Sequence, residues 1–232
     1  MYRPITSALS ALLILGTAPA FAADLGVSQE PVAPAVAPAP TYTFGIEVSP
    51  EFFAQDNGSN LSSALADTYY KLSLSHVLWG ALSANVSFQD TIKPSNKYQY
   101  YAEAGLTYKF KLTDSLSLTP GIAIGETWNK TGILENGVGN LNATYYSATL
   151  AGDWKLNSQW TWNVFNARWR DSFNHTWETP KIATGFTFNI DAYDAVYANV
   201  GYSWKKLDTA ALPYTDLSED KYNIALGYKR SF

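Results

Sequence analysis

The C-terminal segment, residues 222–232, alternates between two kinds of side chain at every second position. One set is large and mostly apolar or aromatic, and it consists of Tyr222, Ile224, Leu226, Tyr228, Arg230 and Phe232. The other set is small or polar, and it consists of Asn223, Ala225, Gly227, Lys229 and Ser231. Because successive side chains of a β-strand point to opposite faces, the alternation predicts a strand with one apolar face and one wet face.

The same alternation recurs along the chain from residue 42 onward. It marks ten candidate strands, at residues 42–53, 68–78, 82–90, 98–110, 115–128, 144–156, 160–170, 181–190, 193–205 and 222–232. The connections alternate between short turns and mostly longer loops rich in Gly, Asn, Ser and Asp, which is the plan of a membrane barrel. The sequence therefore predicts an all-β fold, a ten-stranded antiparallel up-and-down transmembrane β-barrel over residues 41–232.

The tryptophans separate this prediction from a soluble β-sandwich, whose strands would also alternate. One group falls near the short turns, at Trp79, Trp154, Trp160 and Trp162. A second group falls near the long loops, at Trp128, Trp169, Trp177 and Trp204. Two aromatic girdles are expected at two membrane interfaces, and a sandwich has no reason to sort its tryptophans in this way.

The seventh candidate strand, 160–170, changes parity within its own length. Its apolar side chains occupy even positions up to Val164 and odd positions from Phe165 onward. A β-bulge near Val164 and Phe165 would return all of them to the lipid face. The same bulge would turn Arg168 and Arg170 toward the lumen.

The N-terminal region predicts an exported chain. Arg3 is followed by an apolar run at 7–16 that is too short to span a bilayer, and residues 20–22 fit a small-x-small cleavage pattern. We therefore expect a signal peptide at 1–22. Residues 23–40 are rich in Ala and Pro and predict a disordered periplasmic leader, with a segment that contacts the cell wall or a partner as the alternative.

Composition narrows the function classes. Cysteine is absent, so no disulfide framework compensates for a small core. The formal net charge is −4, which gives no support for nucleic-acid binding. The sequence contains no phosphate-binding glycine loop, no zinc-ligand spacing and no cofactor fingerprint, so no cofactor and no metal are expected.

The chain resembles small Gram-negative outer-membrane β-barrel proteins as a class. The resemblance is carried by the export signal, the ten alternating strands and the terminal run 227–232, which ends in the aromatic Phe232. It implies a location in the bacterial outer membrane, contact with outer-membrane lipid, and recognition of the last strand by the barrel-assembly machinery. Arg230 departs from the usual terminal pattern, in which the third-last residue is more often apolar or aromatic.

The face assignment places a set of charged side chains in the lumen. The predicted pore-lining residues are Glu47, Lys71, Glu103, Lys109, Asp153, Lys155, Arg168, Arg170, Lys181 and Lys205. Bases exceed acids in this set, and many other inward positions carry small side chains. The sequence therefore favours a narrow porin-like channel for small solutes with a weak preference for anions. Acids and bases that pair across the lumen and close it would instead give a non-conducting structural or adhesive barrel.

An outer-membrane hydrolase is the third hypothesis, and the sequence argues against an enzyme. Known outer-membrane proteases of the omptin type also have ten strands, with an acidic and histidine site at the extracellular rim. His175 lies in a long loop near Asp171 and Glu178, but no omptin motif surrounds it. His76 follows Ser75 near a short turn, which is the wrong end of the barrel for acting on outer-leaflet glycolipid.

Overall fold

The computed structural model of the chain describes residues 40–54, 65–92, 98–129, 143–173, 177–207 and 219–232. Within this part the structure is entirely β. The strands are β1 (Tyr42–Phe53), β2 (Leu65–Trp79), β3 (Leu82–Ile92), β4 (Tyr98–Tyr108), β5 (Phe110–Lys111), β6 (Leu116–Asn129), β7 (Ala143–Lys155), β8 (Trp160–Ser172), β9 (Trp177–Glu178), β10 (Lys181–Asn189), β11 (Asp194–Leu207) and β12 (Glu219–Ser231). No helix in the described residues is long and apolar enough to cross a membrane.

The ten long strands form one closed antiparallel ring, which confirms the predicted fold. Each strand pairs with its neighbours along the chain, β1 also pairs with β12, and β10 also pairs with β11. The two-residue strands β5 and β9 are continuations of this ring, since β5 pairs with β6 and β9 pairs with β11. Closure satisfies the backbone N–H and C=O groups within the sheet, as a lipid environment requires.

The barrel is apolar outside and polar inside. Ile122, Val200 and Leu226 point outward and are 68%, 55% and 51% exposed. The buried positions are instead mostly polar, and Asn223 and Thr127 on the inner wall are only 2% and 3% exposed. This is the reverse of a water-soluble barrel, whose large apolar side chains fill the interior. The outer surface is therefore suited to hydrocarbon, and the chain is a transmembrane barrel.

The bulge predicted in the seventh long strand is present. Gly152 of β7 pairs with Phe165, whereas the next residue, Asp153, pairs with Asn163, so Val164 is the extra residue of β8. The register of β8 with β10 shifts at the same place. As a result Arg168 and Arg170 both line the interior, as the parity argument required.

Tight turns join the strands at one end of the barrel. Between β2 and β3 the turn uses Gly80 at a φ of 56°, a left-handed conformation that favours glycine. Between β10 and β11 the carboxylate of Asp191 accepts hydrogen bonds from the backbone N–H groups of Tyr193 and Asp194, both at 2.7 Å. These two backbone donors hold the pKa of Asp191 below its usual value.

The other end carries the connections 55–64, 93–97, 130–142 and 208–218, together with 174–176. These segments lie outside the described residues, as do the predicted signal peptide and the leader up to residue 39. The predictions for those two N-terminal segments therefore stay predictions. We refer below to the loop end and the turn end of the barrel.

Aromatic side chains cluster at both ends of the outer surface. At the turn end Trp154 and Trp162 stack with ring centroids 6.2 Å apart, and Tyr42 stacks on Phe232 at 5.9 Å. At the loop end Tyr202 lies 5.1 Å from Tyr222. This arrangement fits the two girdles expected from the sequence, although the side chain of Trp177 lies outside the described part.

The irregular charge near the C-terminus also has a structural explanation. Arg230 lies beside Asp194 across the β11–β12 pair, with Nη1 3.5 Å from Oδ2. The hydroxyl of Tyr228 donates to the same carboxylate. The charge that breaks the apolar pattern is thus neutralised locally, at the turn end, where the depth penalty for charge is small.

Candidate functional site

The lumen consists of two cavities stacked along the barrel axis. The cavity in the loop half has a volume of about 280 Å³, and the cavity in the turn half has a volume of about 700 Å³. They share four wall residues, Lys71, Glu103, Thr149 and Asn166, so they meet near the middle of the barrel. The described walls of both are dominated by polar side chains, which makes the interior a wet and narrow space.

The loop half is narrowed first by an ion pair that reaches across several strands. Arg170 of β8 donates from Nη2 to Oε2 of Glu103 on β4 at 3.0 Å. The guanidinium carbon lies 4.5 Å from the ring centroid of Tyr145 and 5.1 Å from that of Tyr101. The ion pair and the two rings hold Arg170 in place, and its charge is neutralised.

A second polar network lies at the loop end of the same cavity. Lys221 of β12 donates to Asp67 of β2 at 2.5 Å, and Glu51 lies 4.0 Å from the same Nζ. Below it Asn223 donates from Nδ2 to the hydroxyl of Ser49 at 3.0 Å. These contacts span β1, which lies between β2 and β12, and they cover part of the inner wall with fixed side chains.

Two tyrosines make hydrogen bonds with charged side chains of the loop half. Tyr197 donates its hydroxyl to Oε2 of Glu47 at 2.6 Å. Lys181 of β10 donates from Nζ to the hydroxyl of Tyr69 on β2 at 3.2 Å. Because three strands separate β10 from β2 in one direction around the ring and five in the other, this last contact crosses the lumen.

Glycines on neighbouring strands allow the rings of Tyr145 and Tyr197 to lie flat against the inner wall. Tyr145 faces Gly125 across the β6–β7 pair, and Tyr197 faces Gly227 across the β11–β12 pair. A Cβ atom at either glycine would collide with the tyrosine ring. The absence of a side chain there allows each ring to lie along the wall and leaves the centre of the cavity less filled.

The turn half is built from smaller side chains. Its described wall includes Gly45, Ser73, Ser87 and Gly105, in place of the arginines and tyrosines of the loop half. Its hydrogen bonds run along the wall. Examples are the contact from Asn163 to Asp153 at 2.9 Å and the contact from Asn85 to Thr107 at 3.0 Å. The difference in side-chain size explains why this half holds the larger cavity.

The two halves also differ in charge. The described wall of the loop cavity carries five basic and four acidic side chains. That of the turn cavity carries two basic and four acidic residues, and one of the acids, Asp194, turns its carboxylate to the outer face, where it pairs with Arg230. The structure therefore places positive charge mainly in the narrow half.

The predicted pore-lining residues fall into three groups. Seven line the cavities, namely Glu47, Lys71, Glu103, Asp153, Arg168, Arg170 and Lys181. Lys109 and Lys155 are exposed at the turn end and belong to the described wall of neither cavity. The backbone of Lys205 lies in β11 opposite Glu219, but its side chain lies outside the described part.

Sequence reasoning missed Asp67 and Lys221, and it assigned both to loops. The structure begins β2 at Leu65 and β12 at Glu219, so both residues lie on strands and point inward. A signal was present, because the inward positions continue the alternation without a break on both strands. The polar and charged residues near the loops obscured the strand ends, where apolar side chains no longer alternate with polar ones.

The histidine hypotheses receive no support from the geometry. Ser75 lines the turn cavity, whereas His76 follows it on the outer face, stacked on Tyr42 with ring centroids 4.1 Å apart. As successive residues of a strand they point in opposite directions and form no Ser–His pair. His175 lies outside the described residues. Within the described part, no group of three or more His, Asp or Glu side chains could hold a metal ion.

No protein-family model and no curated protein matches the chain. Solved structures to which it is similar include an outer-membrane channel from Pseudomonas putida F1, at 12% identity and a TM-score of 0.49, covering 88% of this chain and 100% of that one. The KdgM porin matches at 10% identity and a TM-score of 0.40, covering 81% and 99%. Neisserial surface protein A matches at 10% identity and 0.40, covering 82% and 97%. Identities this low transfer no residue role, so the function has to follow from the lumen of this chain.

Proposed function

We propose that this chain forms a narrow channel of the bacterial outer membrane for small solutes, with a weak preference for anions. The observation that carries the proposal is the pair of polar cavities that meet at Lys71, Glu103, Thr149 and Asn166. A barrel that served only as a scaffold needs no polar space of about 700 Å³ along its axis. A connected wet interior is what conduction requires.

The side chains of the loop half set the size limit. The Arg170–Glu103 pair and the contact between Lys181 and Tyr69 both reach into the lumen from separated strands. Ten strands give a barrel only slightly wider than the eight-stranded kind, which side chains can fill completely. We therefore expect passage of inorganic ions and of solutes with few heavy atoms.

Unpaired basic groups in the same half support the anion preference. Lys71, Arg168 and Lys181 form no ion pair among the described residues, whereas Arg170 pairs with Glu103 and Lys221 is shared by Asp67 and Glu51. Five basic and four acidic side chains leave the described wall of the loop cavity with an excess of one positive charge. A positive constriction in a low-dielectric tube attracts anions. The acidic wall of the turn half opposes this effect, so the net selectivity is weak.

The proposed orientation places the short turns and both strand ends Tyr42 and Phe232 in the periplasm, and the longer connections outside the cell. Phe232 accepts backbone hydrogen bonds from Thr41 and Tyr42 at 3.2 and 3.0 Å, where β12 closes the barrel on β1. This exposed terminal aromatic, 60% exposed, is the feature that we propose the assembly machinery recognises.

Planar-bilayer recording of the purified, folded barrel tests the proposal. We expect discrete conductance steps and a reversal potential on the anion side in a salt gradient. Arg168→Gln removes one lumen charge and should shift the reversal potential toward cations. Arg230→Gln is the matched control, because it removes the same charge from the outer face and should leave the reversal potential unchanged. A folded barrel without conductance steps contradicts the proposal.

A non-conducting structural or adhesive barrel is the second candidate, and one observation favours it. The hydrogen bond from Lys181 to Tyr69 crosses the loop half, and the Arg170–Glu103 and Lys221–Asp67 pairs span the strands that lie between their partners. If these contacts close the lumen, the barrel retains its wet interior but passes no current. The same recording separates the two functions.

A further inference from the structure

Two basic residues face each other directly across a strand pair in the loop half. Lys181 of β10 is the register partner of Arg168 of β8, and both side chains line the lumen. Like charges in directly opposite positions destabilise a sheet. The barrel tolerates this repulsion although neither residue has an ion-pair partner among the described residues.

A third basic residue faces this pair from the opposite wall. Lys71 lies on β2, which is five strands away from β8 in both directions around the ring of ten. Lys181 of β10 reaches the same wall as Lys71. Its Nζ lies 3.2 Å from the hydroxyl of Tyr69, the neighbour of Lys71 on the inner face of β2. We call Lys71, Arg168 and Lys181 the cationic cluster.

The cluster holds hydrogen-bond donors that the protein itself does not use. The Nε atom of Arg168 is buried and has no hydrogen-bond partner among the described residues. Lys71 makes no hydrogen bond there, and Lys181 makes one, through only one of its three N–H donors. The Nε atom of the other buried arginine, Arg170, also lacks a hydrogen-bond partner among the described residues, but Arg170 differs because Glu103 accepts from its Nη2 and neutralises its charge. Unused donors and uncompensated charge thus coincide at one level of the lumen.

Glu47 limits the excess charge. Its carboxylate accepts from Tyr197 at 2.6 Å, and it forms no ion pair among the described residues. Counted with Glu47 alone, the three basic groups leave an excess of two positive charges at the cluster. The described wall of the whole loop cavity, with five basic and four acidic side chains, carries an excess of one. A ligand with two negative charges and several acceptor oxygens would match both the charge and the free donors.

We propose that the cationic cluster is a binding site for a small, doubly charged oxyanion of the phosphate type. The planar fork of the Arg168 guanidinium pairs with two oxygens of such an ion, and the ammonium groups of Lys181 and Lys71 approach from the two walls. Chloride supplies no oxygen geometry for the fork, and a singly charged carboxylate leaves one positive charge unmatched. A role of this site in transport rests on the proposed channel function. Binding of the anion itself does not require that the barrel conducts.

The test is isothermal titration calorimetry of inorganic phosphate into the full chain folded in detergent, at a pH where phosphate is doubly charged. Acetate at equal ionic strength serves as the singly charged comparison. We expect saturable binding of phosphate and much weaker binding of acetate. Arg168→Gln should weaken phosphate binding at least about tenfold, because it removes a charge-assisted hydrogen bond.

Two further variants make the result specific. Arg168→Lys keeps the charge but loses the fork, so its affinity should fall between those of the native chain and Arg168→Gln. Arg230→Gln removes an equal charge from the outer face and should bind as the native chain does. If Arg168→Gln does not fold, as judged by heat-modifiable mobility, Lys181→Gln takes its place with the same expectation.

The outcomes distinguish the site from the channel. No saturable phosphate binding, or equal binding by the native chain and Arg168→Gln, overturns the site whether or not the barrel conducts. Phosphate binding that depends on Arg168 in a barrel without conductance supports the site and removes the channel. Conductance without phosphate binding leaves the channel and removes the site.

Discussion

The loop half and the turn half of the lumen are built on the same ten strands but differ in almost every physical property. The loop half encloses about 280 Å³ and is crossed by long charged and aromatic side chains. The turn half encloses about 700 Å³ and is lined by glycine, serine and other small residues. Strand number and closure are common to both, so the difference comes entirely from side chains.

The comparison shows that one half of a barrel can hold the stabilising contacts between side chains while the other half keeps a wide lumen. The Arg170–Glu103 and Lys221–Asp67 pairs link strands that are not direct neighbours in the loop half and stabilise it, at the expense of space. The turn half has few such connections, and its strands are held by the backbone ladder, by the tight turns and by the aromatic girdle outside. We therefore expect the loop half to determine which solutes pass, and the wider turn half to leave room for them.

The largest expected effect is on the cross-lumen ion pair. Arg170→Ala leaves Glu103 partly buried without its partner and should lower the free energy of unfolding by about 3–5 kcal/mol. Urea unfolding of the barrel in lipid vesicles measures this change. Lys229→Ala in the turn half is the comparison, since Lys229 lies 4.7 Å from the ring centroid of Tyr197 and forms no ion pair among the described residues. If both variants lose the same free energy of unfolding, the side-chain contacts of the loop half do not stabilise the barrel more than those of the turn half.

An added arginine should be tolerated inside the turn half and poorly tolerated elsewhere. Ile122→Arg places the charge in lipid and should cost about 2–4 kcal/mol. Ala225→Arg forces a long side chain into the crowded wall of the loop half and should cost about 1–3 kcal/mol. Ala123→Arg, adjacent to Ile122 but facing the wide cavity, should cost less than either. The same unfolding measurement ranks the three variants. A large loss of unfolding free energy in Ala123→Arg would show that the turn half has no room for an added long side chain.

The ion pair on the outer surface of the turn end should contribute little. Arg230 and Asp194 are 3.5 Å apart, and the arginine side chain is 59% exposed. Arg230→Ala should therefore lower the free energy of unfolding by less than about 1 kcal/mol, as is usual for exposed pairs. Comparison with Arg170→Ala then gives the effect of burial on two Arg–carboxylate pairs in one protein. A loss as large as that of Arg170→Ala would contradict the assignment.

The smallest expected effect is on conductance. Tyr101→Ala removes a ring from the wall of the loop cavity and should raise single-channel conductance by up to about a factor of two, because the narrowest segment limits the current. Ser73→Ala changes the wall of the wide cavity and should leave the conductance unchanged. An increase in the second variant but not in the first would place the constriction in the turn half.

The fold was largely predictable from residues near one another in the chain. The alternation at 42–53 predicts β1 with its observed bounds, and the parity change at Val164 predicts the bulge in β8. Such features depend on a two-residue period, which a single strand displays by itself. The ends of β2 and β12 were missed because lipid-facing apolar residues give way to polar ones near the membrane interface. Both faces of the strand are then polar, and the alternation between apolar and polar residues is no longer visible.

The lumen was predictable as a set of inward residues but not as a network. The sequence places Lys71, Arg168, Arg170 and Lys181 on inner faces, yet it cannot say which of them are neutralised. Arg170 and Glu103 are 67 residues apart, Lys181 and Tyr69 are 112 apart, and Lys221 and Asp67 are 154 apart. Their meeting depends on the order of strands around the ring and on the register of each pair.

The sequence by itself determined the strand number, the inside-out distribution of polarity and the face on which most of the strand charges lie. All three follow from the local period of the chain and from the solvent that each face must match. The tertiary structure decided that the loop half is narrow, that Arg170 is neutralised and that Arg168 has no ion-pair partner among the described residues. Those properties arise because closing the ring brings side chains from distant strands into one confined space, where their sizes and charges have to be accommodated together.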